Sequence, residues 1–303
     1  MKKFLLSILI IFFVSIIFIF KNDSVAQKIL EEEQNIQINF NKEISIKPHD
    51  KVIQGQTIFI NIKTAKQLEN PVFRFKDKEY KIFKIAENQY FGMLGINTME
   101  KPAQYKLSMY DKTGNLNDNA FINVVIKKYP IQNITVTKKM SGLTATQHEL
   151  NQIGKAKYLL TEKMYGSSYP YNSPAKGCII SEFGLRRYYN GKFSGDYHKG
   201  IDIKAPTGEP VKSMTDGKVI FAEKFRLHGG SVAVDHGHGV MSLYIHLSKI
   251  VIKPGEFVKA DQKVGEVGQT GFATGPHLHW GLYVNGTPVD PMIDWIKPVN
   301  LCK

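Results

Sequence analysis

The chain has 303 residues, a formal net charge of +13 and two cysteines. So few cysteines exclude a disulfide-framework fold and leave stability to apolar burial, while the basic excess points to nucleic acid, anionic lipid or an anionic wall polymer. The N-terminus removes nucleic acid from that choice. Lys2 and Lys3 precede an apolar run over residues 4–20, relieved only by Ser7 and Ser15 and closed by Lys21, Asn22 and Asp23, which is the pattern of an export signal. The length of the run suits either a cleaved signal peptide or an N-terminal anchor. Ser24, Val25 and Ala26 form a small-x-small sequence that favours cleavage before Gln27. Residues 1–26 therefore form the export segment, and the rest is expected in the periplasm or cell envelope.

About 275 residues follow, enough for two cores. Residues 27–43, with the acidic run Glu31-Glu32-Glu33, are expected to be a tether. Over residues 44–130 the pattern has period two: Ile58, Ile60 and Ile62 alternate with Phe59 and Asn61, and Tyr105, Leu107 and Met109 alternate with polar residues. Asp111-Lys112-Thr113-Gly114-Asn115 marks a turn before another strand-like run. Short strands and turns predict a small immunoglobulin-like β-sandwich, an accessory domain. Residues 131–165 are expected to link the domains, with a helix over residues 143–164 carrying Leu150, Ile153, Leu159 and Leu160. Residues 166–303 are rich in glycine and turn pairs such as Asn190-Gly191 and Asn285-Gly286, with short β runs between them, so the fold class is mainly β throughout. Cys178 and Cys302 lie in this half and either pair or remain two buried thiols.

Seven of the nine histidines fall between positions 198 and 279, a clustering that neither packing nor solubility requires. His198-Lys199-Gly200-Ile201-Asp202 offers an imidazole and a carboxylate, and His277-Leu278-His279-Trp280 offers two imidazoles, a donor set zinc accepts. In an extended strand His198 and Asp202 would lie roughly 13 Å apart, so the chain must bend between them, which Gly200 permits. His277 and His279 share one face of a strand, with Leu278 and Trp280 toward the core, so one can bind a metal while its neighbour handles a proton. In Leu243-Tyr244-Ile245-His246-Leu247 the same alternation predicts Tyr244 and His246 together on the face that meets the other two motifs. Three protein ligands leave the fourth tetrahedral position open, as in catalytic zinc sites. His236 and His238, in Asp235-His236-Gly237-His238-Gly239, read as turn residues; His49, His148 and His228 have no partner in sequence and suit surface or turn positions.

Five ordered segments carry a resemblance: Glu182-Phe183-Gly184-Leu185-Arg186-Arg187, residues 198–202, Val234-Asp235-His236-Gly237, Tyr244-Ile245-His246-Leu247-Ser248, and residues 270–280. Together, over about residues 175–295, they resemble the lysostaphin-type (LytM-type) zinc metallopeptidases. The resemblance implies an antiparallel β-sheet groove with loop walls, Zn2+ held by His198, Asp202 and His279, and His246 and His277 as the catalytic pair beside it. Many relatives have Asn where this chain has His238, a swap that a left-handed turn position tolerates. Some relatives hold an inhibitory Asn upstream of the catalytic domain, and none is identified here.

The implied activity is hydrolysis of peptide cross-links in peptidoglycan. The implied partners are peptidoglycan peptide stems, with anionic wall polymers or a membrane surface attracted by the basic charge and no nucleic acid; no oligomeric state follows. Two other readings compete. Degenerate members of the family serve as wall-binding or amidase-activating modules, but these usually lack ligands that this chain keeps. A D-Ala-D-Ala carboxypeptidase would suit the related fold, but His-x-x-x-Asp spacing is a poorer match to that group.

Overall fold

Apolar residues on both faces of the strand Thr57–Lys63 show how the N-terminal half is built: Ile58, Ile60 and Ile62 are buried, and so is Phe59 on the opposite face. A computed structural model describes residues 37–40, 51–166 and 170–302. The export segment lies outside the described residues, and so does most of the tether, of which the strand Gln37–Phe40 pairs in parallel with Thr57–Lys63. Thr57–Lys63 is also paired with Gln89–Gly95, which pairs with Phe83–Ala86 in a four-stranded sheet. A five-stranded sheet joins Lys51–Ile53, Asn117–Val125, Ala103–Tyr110, Val72–Phe75 and Lys78–Lys81 in that order. Among the described residues, no helix is long and apolar enough to cross a membrane.

The C-terminal half is organised by an eight-stranded sheet. Its order is Cys178–Ser181, Ile201–Lys204, His277–Val284, Val240–Leu247, Gly230–Gly237, Gly217–Lys224 and Phe257–Val258, with Thr287–Val289 also paired to His277–Val284. All these pairings are antiparallel. Asn285 and Gly286 both take positive φ at the hairpin joining His277–Val284 to Thr287–Val289, where the turn requires it. One face of the sheet carries the main core, with Val232, Val234, Tyr244, Leu278, Trp280 and Leu282 among its buried residues.

That core is shared with the N-terminal half. Phe59 and Met93 belong to it, and Phe59 packs on Trp295 with ring centroids 5.5 Å apart. Polar contacts reinforce the junction: Trp295 Nε1 donates to Thr57 Oγ1, the Thr57 amide donates to Asp294, and Asn285 donates to the Met93 carbonyl. Cys178 and Cys302 form a disulfide, which resolves the choice left open by the sequence.

The other face of the sheet is partly covered by the segment expected to be a linker. Helix α1 spans Lys138–Ser141, and α2, Gln147–Lys157, is shorter than the helix expected over residues 143–164. Thr146 and Glu149 form a capping box that fixes its start, and Tyr158 caps its end, leaving Leu159 and Leu160 exposed beyond it. Ile153 and Ala156 pack against Phe221, Ala233, Leu243, Ile245 and Tyr283. A third helix, α3, spans Pro291–Asp294 and carries the junction just described.

Candidate metal centre and groove

Strand register brings the first carboxylate and imidazole together. Asp202 lies directly opposite His279, and Ile201 opposite Trp280, in the pair formed by Ile201–Lys204 and His277–Val284. Cross-strand partners share a face, so Asp202 and His279 meet on the open side while Trp280 enters the core. His198 reaches them from the bend before Ile201–Lys204. Gly200 serves this bend through close approach, since an added Cβ would sit 2.3 Å from the Trp280 carbonyl oxygen and 2.9 Å from His279 Nε2.

The three donor atoms converge tightly. His198 Nε2 is 2.9 Å from Asp202 Oδ1 and 2.9 Å from His279 Nδ1, and His279 Nδ1 is 2.8 Å from Asp202 Oδ1. His198 Nδ1 lies 2.7 Å from the Glu182 carbonyl, which can only accept, so the proton of a neutral His198 is on Nδ1 and the lone pair of Nε2 faces the carboxylate and the second imidazole. Such a knot of electron-rich atoms is favourable around a cation, and two imidazole nitrogens with one carboxylate oxygen are a zinc donor set. Burial opposes the charge of Asp202, but His198 and His279 overcome it and hold the carboxyl well below the usual range. Burial lowers His198 and brings His279 down to about 4, so both stay neutral and able to coordinate at neutral pH.

Arg187 completes the setting, a role that sequence reasoning did not assign. Its guanidinium donates to Asp202 Oδ2 at 2.6 Å, to Ser181 Oγ at 3.2 Å and to Gln132 Oε1 at 3.0 Å, leaving Oδ1 for the cluster. Its place in Glu182-Phe183-Gly184-Leu185-Arg186-Arg187 was the available signal, but nothing in the sequence tied that segment to Asp202.

His246 and His277 stand beside the cluster, with ring centroids 4.9 Å apart, and His277 Nε2 lies 3.8 Å from Asp202 Oδ1. The expectation that Tyr244 and His246 share the groove face is corrected by the register. Tyr244 lies opposite Trp280 in the core and Ile245 opposite His279 on the groove side. His246 then takes φ 66°, which breaks the alternation and brings its ring within 6.1 Å of His279. Its Nδ1 is 2.9 Å from the Thr270 carbonyl, and His277 Nδ1 is 2.8 Å from that of Gly275, so both neutral rings carry the proton on Nδ1 and leave Nε2 basic. Burial, then the neighbouring His277 and His279, push His246 well below its ordinary value.

The remaining histidines serve structure. His236 is fully buried between the Asp216 carbonyl and Ser242, which displaces its reading as a turn residue. His238 does occupy a turn, at φ 52°, and stacks on Phe83. His148 is exposed beside Glu223. His228, for which a surface or turn position was expected, lies in the bend between Gly217–Lys224 and Gly230–Gly237 and is paired there to the fully buried Glu149 of α2; His49 lies outside the described residues.

A groove of about 630 Å³ opens over His198, His246 and His279 and runs between α2 and the 187–199 segment. Residues 196–291 match Peptidase family M23. The peptidoglycan DD-endopeptidase ShyA of Vibrio cholerae is 35% identical over 162 residues, covering 54% of this chain and 37% of that protein. The DD-carboxypeptidase/endopeptidase Mpg of Neisseria meningitidis is 42% identical over 95 residues, covering 31% and 22%. The chain thus spans less than two fifths of the length of these two relatives. A solved structure of a peptidase M23 from Pseudomonas aeruginosa has a TM-score of 0.60 at 27% identity and covers 80% of this chain and 95% of that one. The catalytic domain of the prophage-encoded M23 protein EnpA from Enterococcus faecalis is 33% identical over 96% of its length and 43% of this chain, with a TM-score of 0.35. On the donor cluster, the sheet that carries it and the family match over residues 196–291, the chain belongs to peptidase family M23.

Proposed function

We propose that the chain is a zinc-dependent endopeptidase that hydrolyses peptide cross-links of bacterial peptidoglycan, with His198, Asp202 and His279 as metal ligands and His246 and His277 as the catalytic pair. The observation that carries this reading is the convergence of three donor atoms beside a groove lined by His198, His246 and His279, with the His246 and His277 rings next to them. When bound, zinc supplies Lewis acidity that polarises a peptide carbonyl and lowers the pKa of water. His246 and His277 accept a proton at Nε2 as water adds to the carbonyl carbon, and return one to the leaving amine. The carbonyls of Thr270 and Gly275 hold their tautomers for that task. Arg187 fixes Asp202, and burial of the cluster keeps His198 and His279 unprotonated.

The relatives named as peptidoglycan DD-endopeptidases direct the proposal toward a cross-link whose scissile bond joins two D-configured centres, and a D-alanyl-diaminopimelate bridge is the first candidate of that kind. An exported chain of formal charge +13 would be concentrated on anionic wall material by attraction that salt screens. In this account residues 44–130 form an immunoglobulin-like accessory domain that positions the peptidase region without contributing ligands. Digestion of purified walls of defined chemistry, with the released muropeptides identified by mass spectrometry, tests the reading. Cleaved cross-links are expected, and intact cross-links after digestion with the zinc-loaded protein would contradict it.

A further inference from the structure

One charge in the groove is unused by the proposed chemistry. Helix α2 ends with two lysines, of which Lys155 is exposed and can answer the helix dipole. Lys157 instead is half-buried on the groove wall, its Nζ 4.8 Å from the centroid of the Tyr283 ring. The other cations there are matched, Arg187 by Asp202 at 2.6 Å and Lys199 by Asp196 at 2.5 Å. The charge of Asp196 reaches Lys157 but is already engaged by Lys199, and burial brings the Lys157 ammonium down to about 8. A cation desolvated against an aromatic face is stabilised further by an anion that arrives with a ligand.

Tyr283 ties this lysine to the cluster. Along His277–Val284 the residues His277, His279, Gly281 and Tyr283 share the groove face, while Leu278, Trp280 and Leu282 fill the core. At Gly281 a Cβ would lie 3.1 Å from the Tyr283 ring and 3.2 Å from the Lys199 carbonyl, so glycine keeps the floor between His279 and Tyr283 clear. Four residues of extended strand cover roughly 13 Å, about the span of four residues of an extended peptide lying along that floor.

We propose that Lys157, seated over Tyr283, is a carboxylate subsite of the groove that holds an acidic group of the bound peptide about three to four residues from the bond cut. The proposal rests on the endopeptidase reading and narrows it: the substrate is an acidic peptide, and a cross-link of neutral residues leaves Lys157 unmatched. Two probes test it, a cross-linked stem-peptide dimer with free carboxylates and the same dimer with those groups converted to carboxamides. Each is titrated calorimetrically into the metal-free full chain, and kcat/KM for each is measured with the zinc-loaded protein. The wild type is expected to prefer the free dimer about tenfold or more in Kd, the scale of one hydrogen bond to a charged group. Lys157→Met should abolish that preference and Lys157→Arg should keep it. Equal binding of both dimers by the wild type, or a preference that survives Lys157→Met, overturns the subsite and leaves the endopeptidase reading standing. Hydrolysis of neither dimer overturns that reading instead, and the binding ratio still decides the subsite; binding of neither overturns both.

Discussion

At the residue scale, Arg187 shows how a side chain outside the donor set governs it. Its bond to Asp202 Oδ2 leaves Oδ1 facing His198 and His279, and partners of this kind typically affect metal affinity 10–100-fold. Arg187→Gln is therefore expected to weaken zinc binding by about that factor while the protein stays folded, which competition with a chromophoric chelator would measure. Unchanged affinity would mean that Asp202 needs no such anchor. The two short motifs made His198, Asp202, His277 and His279 legible as candidate donors, because few other purposes gather imidazoles and a carboxylate so closely, while the choice of His279 over His277 came from the resemblance to the lysostaphin-type metallopeptidases. His246 was legible as a candidate but its geometry was not. Period-two alternation assigned it the face of Tyr244, and only a positive φ, which sequence patterning does not encode for histidine, turns it into the groove. The carbonyls of Glu182, Thr270 and Gly275 that fix the tautomers are backbone groups and leave no trace in side-chain chemistry.

At the element scale, α3 and the C-terminal segment hold the two halves of the chain to one core. Asp294 in α3 is buried, and burial raises its carboxyl to about 6 while it accepts from the Thr57 amide. A folded value above the unfolded one means that the native state binds the extra proton between about pH 4 and 6. The contribution is thus present below that window and lost as pH rises through it, about 2–3 kcal/mol in all. Asp294→Asn keeps an acceptor for Thr57 without the charge, so its Tm should exceed the wild-type value at pH 8, with the gap closing by pH 4. A gap that did not change with pH would remove Asp294 as its source. The Cys178–Cys302 bridge, 124 residues apart in sequence, ties the end of the chain to the edge strand Cys178–Ser181, where Ile179 also bonds Asn300 and Cys302. Replacing both cysteines with serine should cost about 2–5 kcal/mol, read as a lowered denaturation midpoint, and should open the amides of residues 300–302 to hydrogen exchange. Strands were readable because alternation and turn pairs mark them locally. The placing of α2 was not: its apolar residues announced an amphipathic helix, but whether that face meets a linker's neighbour or the outer face of a distant sheet depends on contacts with Leu243, Ile245 and Tyr283 far along the chain.

At the scale of the whole molecule, the N-terminal sheets are joined to the C-terminal sheet through Phe59, Met93, Trp295 and the stacking of Phe83 on His238. The sequence showed two β regions but could not reveal this shared core, since Phe59 looked like the polar-side partner of three isoleucines until both faces of its strand proved buried. Labour is divided along one strand, where His277 and His279 point the same way and only His279 joins the donor cluster. Loss of a ligand abolishes both zinc and activity, whereas loss of a proton-transfer group spares zinc and lowers the rate about 100-fold or more. The direct measurement is zinc content and wall hydrolysis in His277→Ala and His279→Ala side by side, with His198→Ala and Asp202→Ala expected to follow His279→Ala, and His246→Ala to follow His277→Ala. Near-stoichiometric zinc with crippled hydrolysis is expected in His277→Ala, and neither zinc nor hydrolysis in His279→Ala; zinc lost from His277→Ala and retained by His279→Ala would invert the assignment.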